Sequence, residues 1–483
     1  MAILAAGEAC QAPLVAHGTG GIGGMAFQAA LPHADDALCA RSIMSPSESP
    51  PPRVAVAPKN MGMVSAIAMS LSGMMGSGLY SVLGYANLMT GTHVPIAFLA
   101  ASLAVSFTVY SFARLSATYP GRGGGPAGFM ESCFGAGFIS GWMNIFMCLG
   151  FLLATALSAS SCTEFIGILT APLLSAGQLK LIGAALVVVF ALLNLLGTEV
   201  VGRVASVTIG LVFLALIGFA AMGLSRMDFG NMQWGGGMPR GVAIATGMLY
   251  INFQGFAVVT SASQAMADPR KMLPRAMYAA VTLITILYVL VSWVAIQITP
   301  HAEIVEHAGD LLGEAAQIMA GRTGFVAIVC SALLACAAAV NATIFIAAKV
   351  LTFVVGQHPE SRTLTRLVGT DSVRPLLLSS GIVIALVLGF PLVAVGEMAS
   401  MAFLLIFGVI SLGHVRICRE TGAAAGLLWI GVLVNGILFL SLFVDAVKTA
   451  PASAITLVAA LLGSGLLEGL YRWRSPVGPA AVA

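Results

Sequence analysis

Gly73-Met74-Met75-Gly76-Ser77-Gly78-Leu79-Tyr80 interrupts an otherwise membrane-grade apolar segment, the uncharged residues 60–92 between Lys59 and His93. In hydrocarbon every backbone N–H and C=O has to find a partner inside the protein. Helix-weakening glycines at mid-depth therefore persist where the backbone lines a cavity or a packed interface. The stretch is where a ligand would sit.

The rest of the chain supports a membrane setting. Of 483 residues, 59% are hydrophobic and only 8% charged, against about 25% charged in soluble domains. Gaps between charged or His residues give apolar stretches at 60–92, 94–113, 132–163, 181–198, 204–225, 241–267, 276–300, 323–348, 375–396, 398–413, 421–444 and 449–467. At roughly 20 residues per crossing, the expectation is an all-α integral membrane protein of about twelve spans. The tenth is the shortest.

Lys and Arg, which concentrate in cytoplasmic loops, set the orientation. With the N-terminus inside, 17 of the 22 fall on the cytoplasmic side; Lys180, Arg226, Arg240, Arg322 and Lys448 do not. Both termini are therefore expected in the cytoplasm. The Arg-rich composition suggests a GC-rich bacterial genome and hence the inner (cell) membrane.

Residues 1–58, rich in Ala, Gly, Pro and Ser, read as a disordered cytoplasmic tail; a second reading has translation beginning at Met44. Residues 59–420 would form the core, with 421–483 adding two C-terminal spans and a short tail. Residues 301–322 read as an external amphipathic helix. The eight cysteines form no C-x-x-C pair and no cluster with His, so no metal or redox cofactor is expected. The net charge of +3 lies in loops without a basic tract, which gives no footprint for nucleic acid. Gly121 to Gly128 lacks the G-K-S/T end of a phosphate loop.

A second interruption, Tyr250-Ile251-Asn252-Phe253-Gln254-Gly255-Phe256, lies in the sixth stretch. Five spans separate the two, so their helices run in opposite directions, as an inverted repeat of spans 1–5 and 6–10 requires.

Ordered local matches make the chain resemble the amino acid-polyamine-organocation (APC) superfamily of transporters. Gly76 to Tyr80 resembles the G-S/A-G-I-F motif of helix 1. Phe112, Leu115, Tyr119, Pro120, Gly123 and Gly124 are similar to the loop after helix 2. Phe134-Gly135, Phe138 and Gly141-Trp142 resemble the start of helix 3, and Asn194 and Gly197 the end of helix 4. Gly255-Phe256, Pro269 and Pro274-Arg275 resemble helix 6 and its exit; Ser331 to Asn341 resembles the small-residue helix 8. The resemblance covers roughly residues 60–420 and implies a LeuT-like fold with discontinuous helices 1 and 6. It also implies alternating-access transport in which spans 1, 2, 6 and 7 rock against the rest.

Departures touch the cytoplasmic gate: Arg114 replaces an acidic residue, and Gln264 or Ala265 replaces a Glu. Residues 204–225 hold no lysine, which removes the lysine that some proton-coupled relatives place in helix 5.

The half-helix after Gly78 would present free N–H groups to a carboxylate. The first half of span 6, ending near Ile251 to Phe253, would present carbonyls to an ammonium. The expected substrate is thus an amino acid or related small amine, held by Met75, Gly76, Ser77, Gly78, Phe253, Gln254, Gly255, Phe256 and Asn341. Met74, Met75, Phe253 and Phe256 would give its side chain an apolar surround. Duller readings stand beside these: Gly73 to Gly78 as helix packing, Asn341 as an interhelical hydrogen bonder, and Glu131 and Glu397 as solvated or paired span-edge residues.

An inorganic-cation carrier of the same fold is the alternative within transport. A membrane-embedded enzyme would need His, Asp or Glu clustered at depth. Span 8 offers only Ser331 and Thr343 near its middle for sodium, so the coupling ion or counter-substrate stays open.

Overall fold

A computed structural model describes residues 61–120, 125–170, 173–195, 198–227, 239–358, 368 and 373–474. The expectations for the tail, Met44, Gly123, Gly124, Gly197 and most of loop 358–374 lie outside these residues. Among the described residues the chain is helical apart from turns and one isolated bridge, Met61 to Met266. Ten helices are long and apolar enough to cross a membrane, and two shorter apolar ones, Met63–Met74 and Val373–Gly389, accompany them. The chain is a multi-pass membrane protein.

The first stretch is two helices, α1 (Met63–Met74) and α2 (Ser77–Thr90). Then come α3 (Val94–Thr118), which starts on Pro95 within its first turn, the short α4 (Pro126–Phe134) and α5 (Phe138–Thr170). α6 (Ala176–Asn194) begins before its charge-free stretch because Ser175 and Gln178 form a reciprocal capping box. α7 (Thr198–Arg226) and α8 (Pro239–Leu249) follow. Beyond α8 the chain continues as a 3₁₀ helix over Tyr250–Ala265.

α9 (Pro269–Ile298) leads to the stretch expected to be one external amphipathic helix, which is two pieces instead. These are α10 (His301–Glu306) and the start of α11 (Leu311–Gly356), which kinks at Gly321 with φ +64° and ψ −157°. Only glycine adopts such a conformation readily. α12 (Val373–Gly389), α13 (Leu392–Arg416), α14 (Cys418–Thr421), α15 (Ala425–Thr449) and α16 (Pro451–Arg474) complete the chain.

The boundary between the ninth and tenth stretches differs from the reading by charge. That reading put it at Glu397, but Gly389 ends α12 and Pro391 is the N-cap of α13. Proline lacks the N–H a continuing helix needs and its ring clashes with the preceding turn, so it outranks the charge as a stop signal. Glu397 is consequently buried inside α13.

Burial separates centre from rim. In α5, 89% of the most apolar window is buried, against 17% in α6 and 28% in α15 and α16. α5 is therefore a central post and the others face lipid. It holds α11 through the Thr155 hydroxyl, which donates to Thr343 at 2.9 Å, and α13 through edge-to-face Phe151 and Phe403.

Candidate functional site

The chain before α1 is tied to the exit of the 3₁₀ segment by Met61 N–H donating to the Ala265 carbonyl at 3.1 Å. This sets α1 beside the 3₁₀ helix, and their contact passes through Gly73 and Gly255. A Cβ on Gly255 would land on the Gly73–Met74 peptide. Two backbones can come this close only without side chains.

Just past the crossing, α1 stops. Met75 donates its N–H back to Leu71 at 2.8 Å, and Gly76, with φ −81° and ψ −142°, turns the chain out of the helix. α2 restarts at Ser77, and its N-cap Gly76 offers no side chain to the first-turn N–H groups. The open carbonyl end of α1 and the open N–H end of α2 face each other, with the partial charges such ends carry.

The carbonyls of α1 are met by protein groups. Tyr288, from α9, donates its hydroxyl to the Met74 carbonyl at 2.6 Å, and Gln254 Nε2 donates to the Gly73 carbonyl at 3.3 Å. The 3₁₀ segment supplies this second donor. A switch from i→i−4 to i→i−3 bonding skips one carbonyl at the junction, and sixteen residues of 3₁₀ helix far exceed the usual 3–4. Such stretches mark strain or a hinge. The sixth span is thus rewound rather than snapped, and its α-helical part ends at Leu249, short of the expected Ile251 to Phe253.

A small cavity lies at the break, lined by Gly73, Met74, Gly76, Gly78, Ala154, Leu157, Ser158, Ile251, Asn252 and Gln254. The space open to the centre of a water is about 10 Å³, room for about one water. Two buried amides edge it, each with an unpartnered atom: Nδ2 of Asn252, a donor, and Oε1 of Gln254, an acceptor. Leaving either buried without a partner costs about 1–3 kcal/mol. The Asn252 carboxamide stands directly over Gly78, where a Cβ would strike it.

Of the residues expected to touch substrate, Gly76, Gly78 and Gln254 line this cavity; the Ser77 side chain lies outside the described structure. The others sit elsewhere. Met75 is buried at the end of α1, outside the lining. Phe253 packs edge-on to Tyr288, and Phe256 joins Phe112 and Phe407 in an aromatic cluster. Gly255 is occupied by the helix crossing. Asn341 accepts a 2.8 Å hydrogen bond at Oδ1 from Asn194, so the interhelical role holds it.

Ser331 and Thr343 are also engaged. Ser331 pairs with the Tyr80 hydroxyl at 2.7 Å, while Thr343 donates to Ala339 and accepts from Thr155. Sequence reasoning missed Asn252 and the α5 wall of Ala154, Leu157 and Ser158. Their signal was faint: the polar–small run Thr155-Ala156-Leu157-Ser158-Ala159-Ser160-Ser161 in an otherwise apolar helix.

Comparison with known proteins now bears on this geometry. The profile of the family described as Amino acid permease matches residues 61–478. The chain belongs to the amino acid permease family. It is 23% identical to the Inner membrane transport protein YbaT of Escherichia coli (strain K12), over 84% of this chain and 94% of that one. An uncharacterized protein of Methanocaldococcus jannaschii is 25% identical over 86% of this chain and 95% of its own. The Branched-chain amino acid permease BcaP of Bacillus subtilis (strain 168) is 27% identical over 53% of this chain and 59% of its own. Membership in the family and the transporter names of these relatives indicate a transporter rather than an enzyme.

Proposed function

We propose that the chain is a secondary active transporter of amino acids or related small amines, working by alternating access, with the α1–α2 break, widened from its one-water volume in this state, as its substrate site. The observation that carries this reading is the pair of unpartnered amide atoms at the break. A substrate carboxylate answers the Asn252 Nδ2 donor and the open N–H end of α2. An ammonium answers the Gln254 Oε1 acceptor. Gly76, Gly78 and Ser158 give the zwitterion close approach to backbone and a hydroxyl. No charged side chain lines the cavity, in keeping with a substrate of no net charge.

Both α1 carbonyls at the break already accept protein hydrogen bonds, which weighs against a bare inorganic cation there. The long 3₁₀ segment is the element suited to move, since rewinding it to α would reposition Asn252 and Gln254 together. With the α1–α2 pair read as one broken span and α12 as a short one, the helices are in keeping with twelve passes in an inverted repeat. The Lys and Arg asymmetry supports a reading with both termini in the cytoplasm of a bacterial inner membrane.

The test is a thermal-shift screen of the purified protein against amino acids, amines and rubidium, because a ligand of the folded state raises its stability by mass action. Stabilisation by one or more amino acids, lost in Asn252→Ala and Gln254→Ala, is the expected result. Stabilisation by rubidium alone would replace this reading with the cation carrier.

A further inference from the structure

Glu397 does not behave as a span-edge residue. It is the sixth residue of α13, has a relative exposure of 6%, and its Oε2 has no hydrogen-bond partner. Among the described residues no Lys, Arg or His forms an ion pair with it. An uncompensated carboxylate so placed costs several kcal/mol, and an ionisable side chain within a membrane span points by default to function. A proton is the ligand whose arrival removes that cost.

A charged neighbour lies on the adjoining helix. Asp445, on α15, is the charged neighbour that acts on Glu397. It also lines a groove of about 400 Å³ between α8 and α15, with Ile244, Ser441 and Lys448 in the wall. The other titratable groups on elements packed against this part of α13 are Cys162 and Glu164 of α5, one to two turns beyond the Leu157 that lies against Gly396, and Tyr250 of the 3₁₀ segment. The described residues of α8 from Gly241 on are uncharged. Charges on α3, α4 and α14 lie toward the opposite end of α13, near His414, and those of α16, Glu468 and Arg472, sit against Gly141 and Ala136 at the start of α5.

A link to the substrate cavity is also present. Ser400, one turn after Glu397, donates to the Met248 carbonyl at 2.9 Å. Met248 immediately precedes the point where α8 becomes the 3₁₀ helix, and Ile251, Asn252 and Gln254 follow within two turns.

We propose that Glu397 is a proton-binding site whose occupancy couples proton movement to the substrate site through the Ser400–Met248 contact. The proposal rests on the amino acid transport reading above. One proton then enters with each zwitterion, so transport carries one positive charge and acidifies the receiving side.

The test uses the full chain in proteoliposomes holding a pH-sensitive dye, with L-leucine and L-serine as probes. Wild type acidifies the lumen when a transported probe is added outside. Glu397→Gln loses the acidification and concentrative uptake but continues counterflow, which requires no net proton movement. Acidification that survives in Glu397→Gln overturns the proposal, as does a parallel loss of counterflow and uptake in a variant with wild-type melting. A second measurement needs no substrate: infrared titration of the purified protein for the C=O band of a protonated carboxylic acid. A titrating band present in wild type and missing in Glu397→Gln supports the site; identical spectra refute it. Failure of both probes to exchange in wild type would count against the transport reading, while the infrared result still decides whether Glu397 takes a proton.

Discussion

Gly73 and Gly255 touch backbone to backbone, so that a Cβ on Gly73 would lie 2.8 Å from the Cα of Gly255. The partner atoms are main chain and cannot swing aside. Gly255→Ala is therefore expected to destabilise the fold at the upper end of, or beyond, the ~1–3 kcal/mol usual for overpacking. Gly78 differs, since its added Cβ would meet the Asn252 carboxamide, the far end of a side chain. Gly78→Ala and Gly78→Val should keep near-wild-type melting and lose uptake. Thermal unfolding beside proteoliposome uptake separates the two classes; equal loss of stability in both would contradict the difference.

Tyr288 holds the end of α1. Its ring is buried against Phe98 and Phe253, and its hydroxyl reaches the Met74 carbonyl at 2.6 Å. Tyr288→Phe keeps the ring and leaves that carbonyl without its donor, an expected cost of about 1–3 kcal/mol. Unchanged melting in the Phe variant would show that the bond contributes nothing net.

The helical inventory was legible because composition and spacing of charges in a membrane chain are governed by one solvent, the lipid. The break at Gly76 was legible too, since a Gly-Ser-Gly run has no helical advantage. What failed did so for identifiable reasons. Glu397 was taken for a loop marker because charge usually is one, although Gly389 and Pro391 carried the stronger backbone signal. Phe253 and Phe256 are expected from sequence to give the substrate side chain an apolar surround, yet along a 3₁₀ helix of three residues per turn neither shares a face with Gln254. Asn252 and Ser158 come from different helices, and their meeting at one cavity is a tertiary fact without local pattern.

The Asn194–Asn341 pair joins α6 to α11 at 2.8 Å. Interhelical hydrogen bonds within membranes average about 0.6 kcal/mol and reach about 1.7. A double-mutant cycle with Asn194→Ala and Asn341→Ala should return a coupling in that range, with substrate preference unaltered in either single variant. A changed preference in Asn341→Ala would return that residue to the substrate site.

Asp310, at the N-cap of α11 in the loop after α9, has its carboxyl pushed up to about 7, chiefly by burial and with Glu314 adding to the rise; the Gly313 backbone offsets part of it. A carboxyl whose folded value is raised binds its proton more tightly when folded. Stability from this group is therefore greatest at low pH and falls as pH climbs from the ordinary Asp value of 3.8 to about 7. Asp310→Asn should flatten that part of the melting-temperature profile and raise melting above neutrality. A profile with the wild-type slope in the variant would exclude Asp310 as its source.

At the Arg-rich end, Gly141 of α5 makes room for Glu468 of α16: a Cβ there would collide with the carboxylate. The carboxylate is fully buried, accepts from Arg472 Nε at 2.6 Å and pairs with His358 Nε2 at 2.9 Å, while Arg472 also donates to the Ala136 carbonyl. The cluster thus ties the last helix to the end of α11 and the start of α5. Removing one member of a buried charged pair typically costs about 3–5 kcal/mol, because the partner is left unmatched, so Glu468→Ala should be strongly destabilising. Gly141→Ala should also destabilise, by expelling the carboxylate from its place. Combined, the two changes should cost less than their sum, since the methyl then enters space the carboxylate has vacated and one of the two losses has already been incurred. Strict additivity in thermal unfolding would mean that Gly141 and Glu468 act independently, and that the glycine is there for some reason other than the carboxylate it faces.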